Sequence, residues 1–287
     1  MDIVYSILLY LLSVVTATLL QMFVLLGPLL LLAFLMHFVA GWNERLSYRL
    51  LGRKGYLYVF GWLGTAVHEL GHAIFAVLFG HKINKIVFFD PDPNASSLGY
   101  LNHSYNPESI YQNIGNFFIG IGPIIFGSFI LYLTTYLLFD ISTTSLNKFE
   151  LSSDSLISLE ALQLTGISMW ESTLVYVNEV LYGPNSTWWK LIILVYVLYS
   201  VGSSITLSGP DIQGAAQGFF FFLIILFFFN IATLWIGDFT LDAFRWLSGF
   251  FSSLYFLIIL SMVINIAFIV ILLVINGLKM IINQFRR

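Results

Sequence analysis

The sequence predicts an all-α polytopic membrane protein of about six transmembrane helices, with one small membrane-associated β-hairpin. Three observations predict it. Of 287 residues, 59% are hydrophobic and only 9% charged, at a mean hydropathy of +0.89. A soluble domain carries about a quarter charged residues and needs them to face water all round. Apolar runs near the roughly 20 residues that cross a bilayer as a helix recur along the chain. After the second of them, a turn-rich stretch is flanked by two short segments of strand character.

The first run, residues 3–40, is close to twice the length of one span, with Gln21 and Gly27-Pro28 in its middle. One long helix kinked at Pro28 is expected, since no polar turn separates two passes; two short passes turning near Gln21 are the alternative. The start, Met1-Asp2-Ile3-Val4, lacks a basic n-region and reads as a retained membrane segment. Residues 41–55 set Arg45, Arg49, Arg53 and Lys54 beside Leu46, Leu50 and Leu51, the pattern of a basic amphipathic helix on the membrane surface.

Residues 56–80 are the second span. Residues 81–115 are more polar, with strands expected at 83–89 and 97–103 around Asp90-Pro91-Asp92-Pro93-Asn94. A third span is expected at 116–139. The insertion at 140–187 is irregular, polar and acidic, holding Glu150, Asp154, Glu160, Glu171 and Glu179 against Lys148. Trp188-Trp189 opens a fourth span through residue 207, at the position of an interfacial aromatic belt. Ser208-Gly209-Pro210-Asp211 breaks the chain before a fifth span at 218–235, and a sixth follows at 250–275. Three parts result: an N-terminal segment (1–55), a core (56–236) and a C-terminal span with a basic tail (237–287). The net charge of −3 carries no basic patch, so no nucleic-acid partner is expected. The absence of cysteine excludes disulfides, thiolate metal sites and a cysteine nucleophile.

The second span carries His68-Glu69-Leu70-Gly71-His72. Imidazoles four residues apart on a helix share a face and can grip one metal ion, while the glutamate between them lies beside a bound water. With five histidines and seven glutamates in the chain, chance expects this pattern about twice in a thousand such sequences. A pair of histidines satisfied by helix–helix hydrogen bonds is the plainer explanation. Three ionisable groups in one membrane turn are costly to insert, however, and such groups are functional by default. A catalytic zinc site takes three protein ligands and leaves a fourth position to water. Candidates for the third are His37, His81, His103, the insertion's glutamates and Asp211. Spans two and four cross in the same direction, so their C-terminal ends share a side. That places Asp211 near His72 and the insertion on the opposite face. Asp211 is the expected third ligand, His103 the second choice, and a helix cap the competing role for Asp211.

These motifs resemble those of the site-2 protease family of intramembrane zinc metalloproteases. The resemblance covers roughly residues 56–235. It rests on His68 to His72, on Gly209-Pro210-Asp211 two spans later, and on Gly120-Ile121-Gly122-Pro123, which is similar to the family's Gly-Pro element. Two positions depart from the pattern. Asp211 is followed by Ile212 where the family usually has glycine, and Phe126 stands where it often has asparagine. A polar group near the reacting carbonyl must then come from elsewhere, and Asn116 is the candidate. The resemblance implies one Zn2+ per chain on His68, His72 and Asp211, Glu69 as general base, and a transmembrane protein substrate. It also implies a hairpin strand, at Gly99, Tyr100, Leu101 and Asn102, on which an unwound substrate segment adds as a strand.

The expected function is hydrolysis of peptide bonds in or near transmembrane segments, as in regulated intramembrane proteolysis. The expected location is the bilayer of a cell (inner) membrane, that of a prokaryote. Two alternatives remain: a membrane zincin with Glu160, Glu171 or Glu179 as third ligand, and a non-proteolytic metal protein such as a transporter or scaffold. Water is expected from the Gly80 end of the second span, past Ser203, Ser204, Thr206 and Ser208.

Overall fold

The apolar runs are helical in a computed structural model of the chain, which describes residues 2–92, 95, 97–141, 159–236 and 239–285. Helix α1 (Asp2–Tyr56) passes through Gln21 and Pro28 without a turn, and its one non-helical residue is Gly52, at φ 71° and ψ 163°. Gln21 is therefore a buried partner rather than a turn residue: Asn230 Nδ2 donates to Gln21 Oε1 and Thr18 Oγ1, at 2.8 Å each. Such hydrogen bonds hold helices together where the hydrophobic effect cannot distinguish side chain from lipid. Residues 41–51 are not a separate surface helix. They continue α1, with Asn43 buried against Asn265 and Ser47 against Tyr199.

A π-helical turn (Leu57–Gly61) leads into α2 (Trp62–Leu78), the motif helix. It ends in a Schellman motif, in which Gly80 takes the left-handed conformation and His81 N–H reaches back to Ala76 O at 2.8 Å. Strands β1 (Lys82–Val87) and β2 (Tyr100–Ser104) follow as an antiparallel hairpin. Its register slips between Ile83 and Lys85, leaving Asn84 as a bulge. Helix α3 (Ile110–Phe139) starts six residues before the expected span, capped by Ser109.

The insertion is less irregular than expected. Residues 142–158, with Lys148, Glu150 and Asp154, lie outside those described, but α4 (Leu159–Tyr182) is a helix that buries Tyr176 and Val180. Then come α5 (Trp188–Ser200), a 3-10 turn (Gly202–Ser204), α6 (Gly209–Thr233) and α7 (Phe239–Phe285).

Small residues set the helix packing. An ideal Cβ on Gly71 would come within 2.8 Å of the Pro123 backbone, and one on Gly122 within 2.7 Å of Gly71 O, so α2 and α3 touch backbone to backbone. Gly115 meets Phe79 on the same pair, which makes α2 and α3 antiparallel. Gly120 meets Asp211 and Ala215, and Gly218 meets Phe117 and Asn113, so α6 is antiparallel to α3 and runs in the same direction as α2. Helix α5 does too: Ser200 Oγ donates to Phe60 O, and Ser204 O accepts from His68 further along.

The fourth and fifth runs are therefore not two opposed spans. They form one path, broken at residues 201–208. Among the described residues, four helical stretches are long and apolar enough to cross a membrane: Ile3–Leu78, Ile110–Phe139, Gly209–Thr233 and Ser253–Ile282, with Trp188–Ser204 shorter. The expected six separate long spans are not reproduced, because α1 leads into α2 as one stretch and α5 is only 13 residues long. The chain is an integral membrane protein.

Candidate metal centre

The break at residues 201–208 brings a third side chain to His68 and His72. Ser208 caps α6: Asp211 Oδ2 accepts from Ser208 N–H at 2.7 Å, and Asp211 N–H donates to Ser208 Oγ at 3.4 Å, a reciprocal capping box with Pro210 in the first turn. The same carboxylate faces the histidines. Its Oδ1 lies 3.2 Å from His72 Nε2 and its Oδ2 3.7 Å from His68 Nε2. Asp211 thus caps a helix and stands in the cluster at once. It begins α6 instead of ending the span before it, as the sequence suggested.

Both imidazoles are oriented from behind. His68 Nδ1 donates to Ser204 O at 2.9 Å and His72 Nδ1 to Ile119 O at 2.7 Å. A carbonyl only accepts, so each neutral ring keeps its proton on Nδ1 and turns the Nε2 lone pair inward. The two Nε2 atoms are 3.2 Å apart, and one ligand atom from each of His68, His72 and Asp211 lies within 4.8 Å of the others. Lone pairs and a carboxylate crowded in this way repel one another unless a cation sits among them. Two nitrogens and one oxygen, with the histidines held by hydrogen bonds at their far nitrogens, suit zinc. Among the described residues, this is the one cluster of three or more such side chains.

A cavity of about 460 Å³ opens over the cluster, lined by the three residues and by Glu69, Asn116, Gly99, Tyr100, Leu101 and His103. Glu69 is buried, 6% exposed, and Gly99 packs so closely on it that a Cβ there would meet Glu69 Cγ at 2.8 Å. Asn116 is buried too, and its Nδ2 has no hydrogen-bond partner. Of the four expected strand residues, Asn102 does not line the cavity; its Oδ1 accepts from Asn84 Nδ2 instead.

The remaining histidines stand apart from the cluster. His81 and His103 pair through their Nδ1 atoms at 3.0 Å, and His37 lines a second cavity of about 280 Å³. Burial pushes the pKa of His81 below the ordinary value, against the pull of its bond to Gln112 O. Burial, then the neighbouring His81, lowers that of His103. Glu171 and Glu179 do not line the cavity, and the side chain of Glu160 lies outside those described. Ser203, Ser204 and Thr206 line the second cavity, against Tyr56, Gly64 and Thr65, while Ser208 lines the first. That corrects the placement of the expected water-route residues: Ser203, Ser204 and Thr206 sit on the Tyr56 side of the motif rather than at its Gly80 end.

Sequence reasoning missed the carbonyls of Ser204 and Ile119, which leave no residue-type signature. It also missed the His81–His103 pair, for which alternation along β2 was the available signal, since Leu101 and His103 share a face.

Residues 32–93 match the family model described as Peptidase M50B-like, which supports the resemblance to the site-2 protease family and suggests a metallopeptidase. The matched stretch holds the His68–His72 motif but not Asp211. No curated protein and no solved structure matches the chain.

Proposed function

From a Peptidase M50B-like match and a three-ligand cluster inside apolar helices, we propose that this chain is an intramembrane zinc metalloprotease, cleaving transmembrane protein substrates. The observation that carries the reading is Asp211 beside His68 and His72, with buried Glu69 in the same cavity. His68, His72 and Asp211 would hold one Zn2+. When bound, zinc supplies a Lewis acid that lowers the pKa of water toward neutrality and polarises a carbonyl.

The chain's own residues do the rest. Glu69 takes the proton of the water that attacks the peptide carbonyl, and returns it to the amine as the C–N bond breaks. Asn116, with its unpartnered Nδ2, donates to the carbonyl oxygen as negative charge develops there. The substrate segment unwinds and lies along Gly99, Tyr100 and Leu101, because β2 pairs with β1 on one edge and leaves the other free among the described residues. Main-chain hydrogen bonds to that edge offset those lost on unwinding in an apolar medium. Ser203, Ser204 and Thr206 line the polar cavity from which water is resupplied when the substrate fills the first. The setting that goes with this reading is the inner membrane of a prokaryotic cell.

The test is Glu69→Gln in purified protein, with zinc content and cleavage of a model transmembrane helix measured together. Zinc should stay at one per chain while the rate falls by about 10²–10⁴. Cleavage surviving at the wild-type rate sinks the reading. Zinc bound at one per chain with no cleavage by the wild type would instead favour a transporter or scaffold that binds metal.

A further inference from the structure

The cavity over the metal cluster reaches along β2 as far as His103, and His103 is not used by the chemistry above. Its surroundings determine what it offers. His81 Nε2 lies 2.8 Å from Gln112 O, which can only accept, so His81 carries its proton on Nε2. His81 Nδ1 is then a lone pair, and the 3.0 Å contact with His103 Nδ1 requires His103 to donate. With its one proton committed to His81, neutral His103 is left with a lone pair on Nε2.

This arrangement is built, not incidental. His81 is buried, stacks on Tyr105 at 5.2 Å and 18°, and reaches Gln112 O only because residue 115 is glycine: a Cβ there would stand 2.8 Å from His81 Nε2. Gln112 is itself fixed, donating from Nε2 to Gly80 O and accepting at Oε1 from Asn106 N. Burial favours the neutral form of both rings.

We propose that His103 is a specificity-determining residue: its Nε2 accepts a hydrogen bond from an amide or hydroxyl side chain on the bound segment, about four residues from the bond cleaved. The spacing follows from the strand. Gly99 packs on Glu69, and four residues at roughly 3.3 Å each put His103 about 13 Å further along. His81 is a positioning residue, acting through the tautomer it imposes. The substrate class is thereby narrowed to apolar segments carrying Asn, Gln, Ser or Thr at that distance from the scissile bond, the kind of residue that also weakens a transmembrane helix.

The inference rests on the proteolytic reading, so its test separates the two. Model transmembrane segments are made with Asn or Leu at each position three to five residues on either side of one scissile bond. Cleavage is measured with wild type, His103→Leu and His103→Gln, and binding of the same segments with the Glu69→Gln protein, which needs no turnover. One position should show an Asn-over-Leu preference of about tenfold in kcat/KM and in Kd, the size expected for one hydrogen bond to a positioned acceptor. His103→Leu should abolish the preference, and His103→Gln, which keeps an acceptor oxygen, should restore part of it. A wild type without such a preference, or a His103→Leu that slows Asn and Leu segments equally, overturns the proposal. Preferential binding without any Glu69-dependent cleavage would overturn the proteolytic reading and leave the recognition site standing.

Discussion

Gly120 of α3 lies against the backbone of Asp211: a Cβ built on Gly120 would stand 2.6 Å from Asp211 O and 2.8 Å from Ala215 N. The residue brought to the two histidines by the helix break is thus seated on a neighbouring glycine. Gly120-Ile121-Gly122-Pro123 serves two contacts, since Gly122 meets Gly71 between the two histidines of α2. One short stretch of α3 sets the spacing of all three ligands.

Gly120→Ala should therefore push Asp211 away from His72. Two backbone-level clashes cannot relax by rotating a side chain, so a cost of about 1–3 kcal/mol is expected. Zinc affinity should fall with it, by about tenfold or more in competition with a chelator. Gly209→Ala is the control, because nothing lies within 4 Å of a Cβ there. Equal zinc affinity in the two variants would count against this seat.

Asp211 has two roles that substitution can separate. Asp211→Ala should lose both the zinc ligand and the α6 cap, whereas Ser208→Ala should lose the cap alone, worth about 1 kcal/mol. Metal analysis after dialysis should find zinc depleted in the first and retained in the second. Full retention in Asp211→Ala would point to another third ligand and revive the glutamate alternatives.

Asn116 donates to no protein group through Nδ2, so Asn116→Ala should cost little stability. If that N–H meets a developing oxyanion, kcat should fall by about a hundredfold with zinc content unchanged. An unaffected kcat would remove Asn116 from the chemistry.

The hairpin should loosen in acid. His81 and His103 both have their pKa lowered on folding, so a detached hairpin binds protons that the docked one refuses. Docking is at full strength above the ordinary value near 6.5 and weakens as pH falls through it toward the folded values. Amide protection factors across β2, corrected for the pH dependence of intrinsic exchange, should be lower at pH 5.5 than at pH 7.5, and His81→Phe should flatten the difference. Protection that is independent of pH would contradict this.

Much of the molecule is legible in residue order. Apolar length and scarce charge demand a membrane protein, because a helix satisfies its own backbone and little polar surface remains for water. Spacing of four puts His68 and His72 on one face, and Ser208-Gly209-Pro210 marks a break in the helical path. These are local properties, carried by neighbours in the chain. The tertiary structure decided how those pieces meet. Residues 188–235 look like two opposed spans, yet α5 and α6 run one way with a break at the level of the histidines, because Gly120 of α3 and Gly218 of α6 let those two helices pack backbone to backbone. Gln21 reads as an interruption, but Asn230 satisfies it from about 200 residues away. The carbonyls that aim the two imidazoles, the glycine that seats Asp211 and the histidine pair beside β2 are all contacts between distant segments. Such contacts depend on which backbones approach closely, and side-chain pattern along one segment does not encode that.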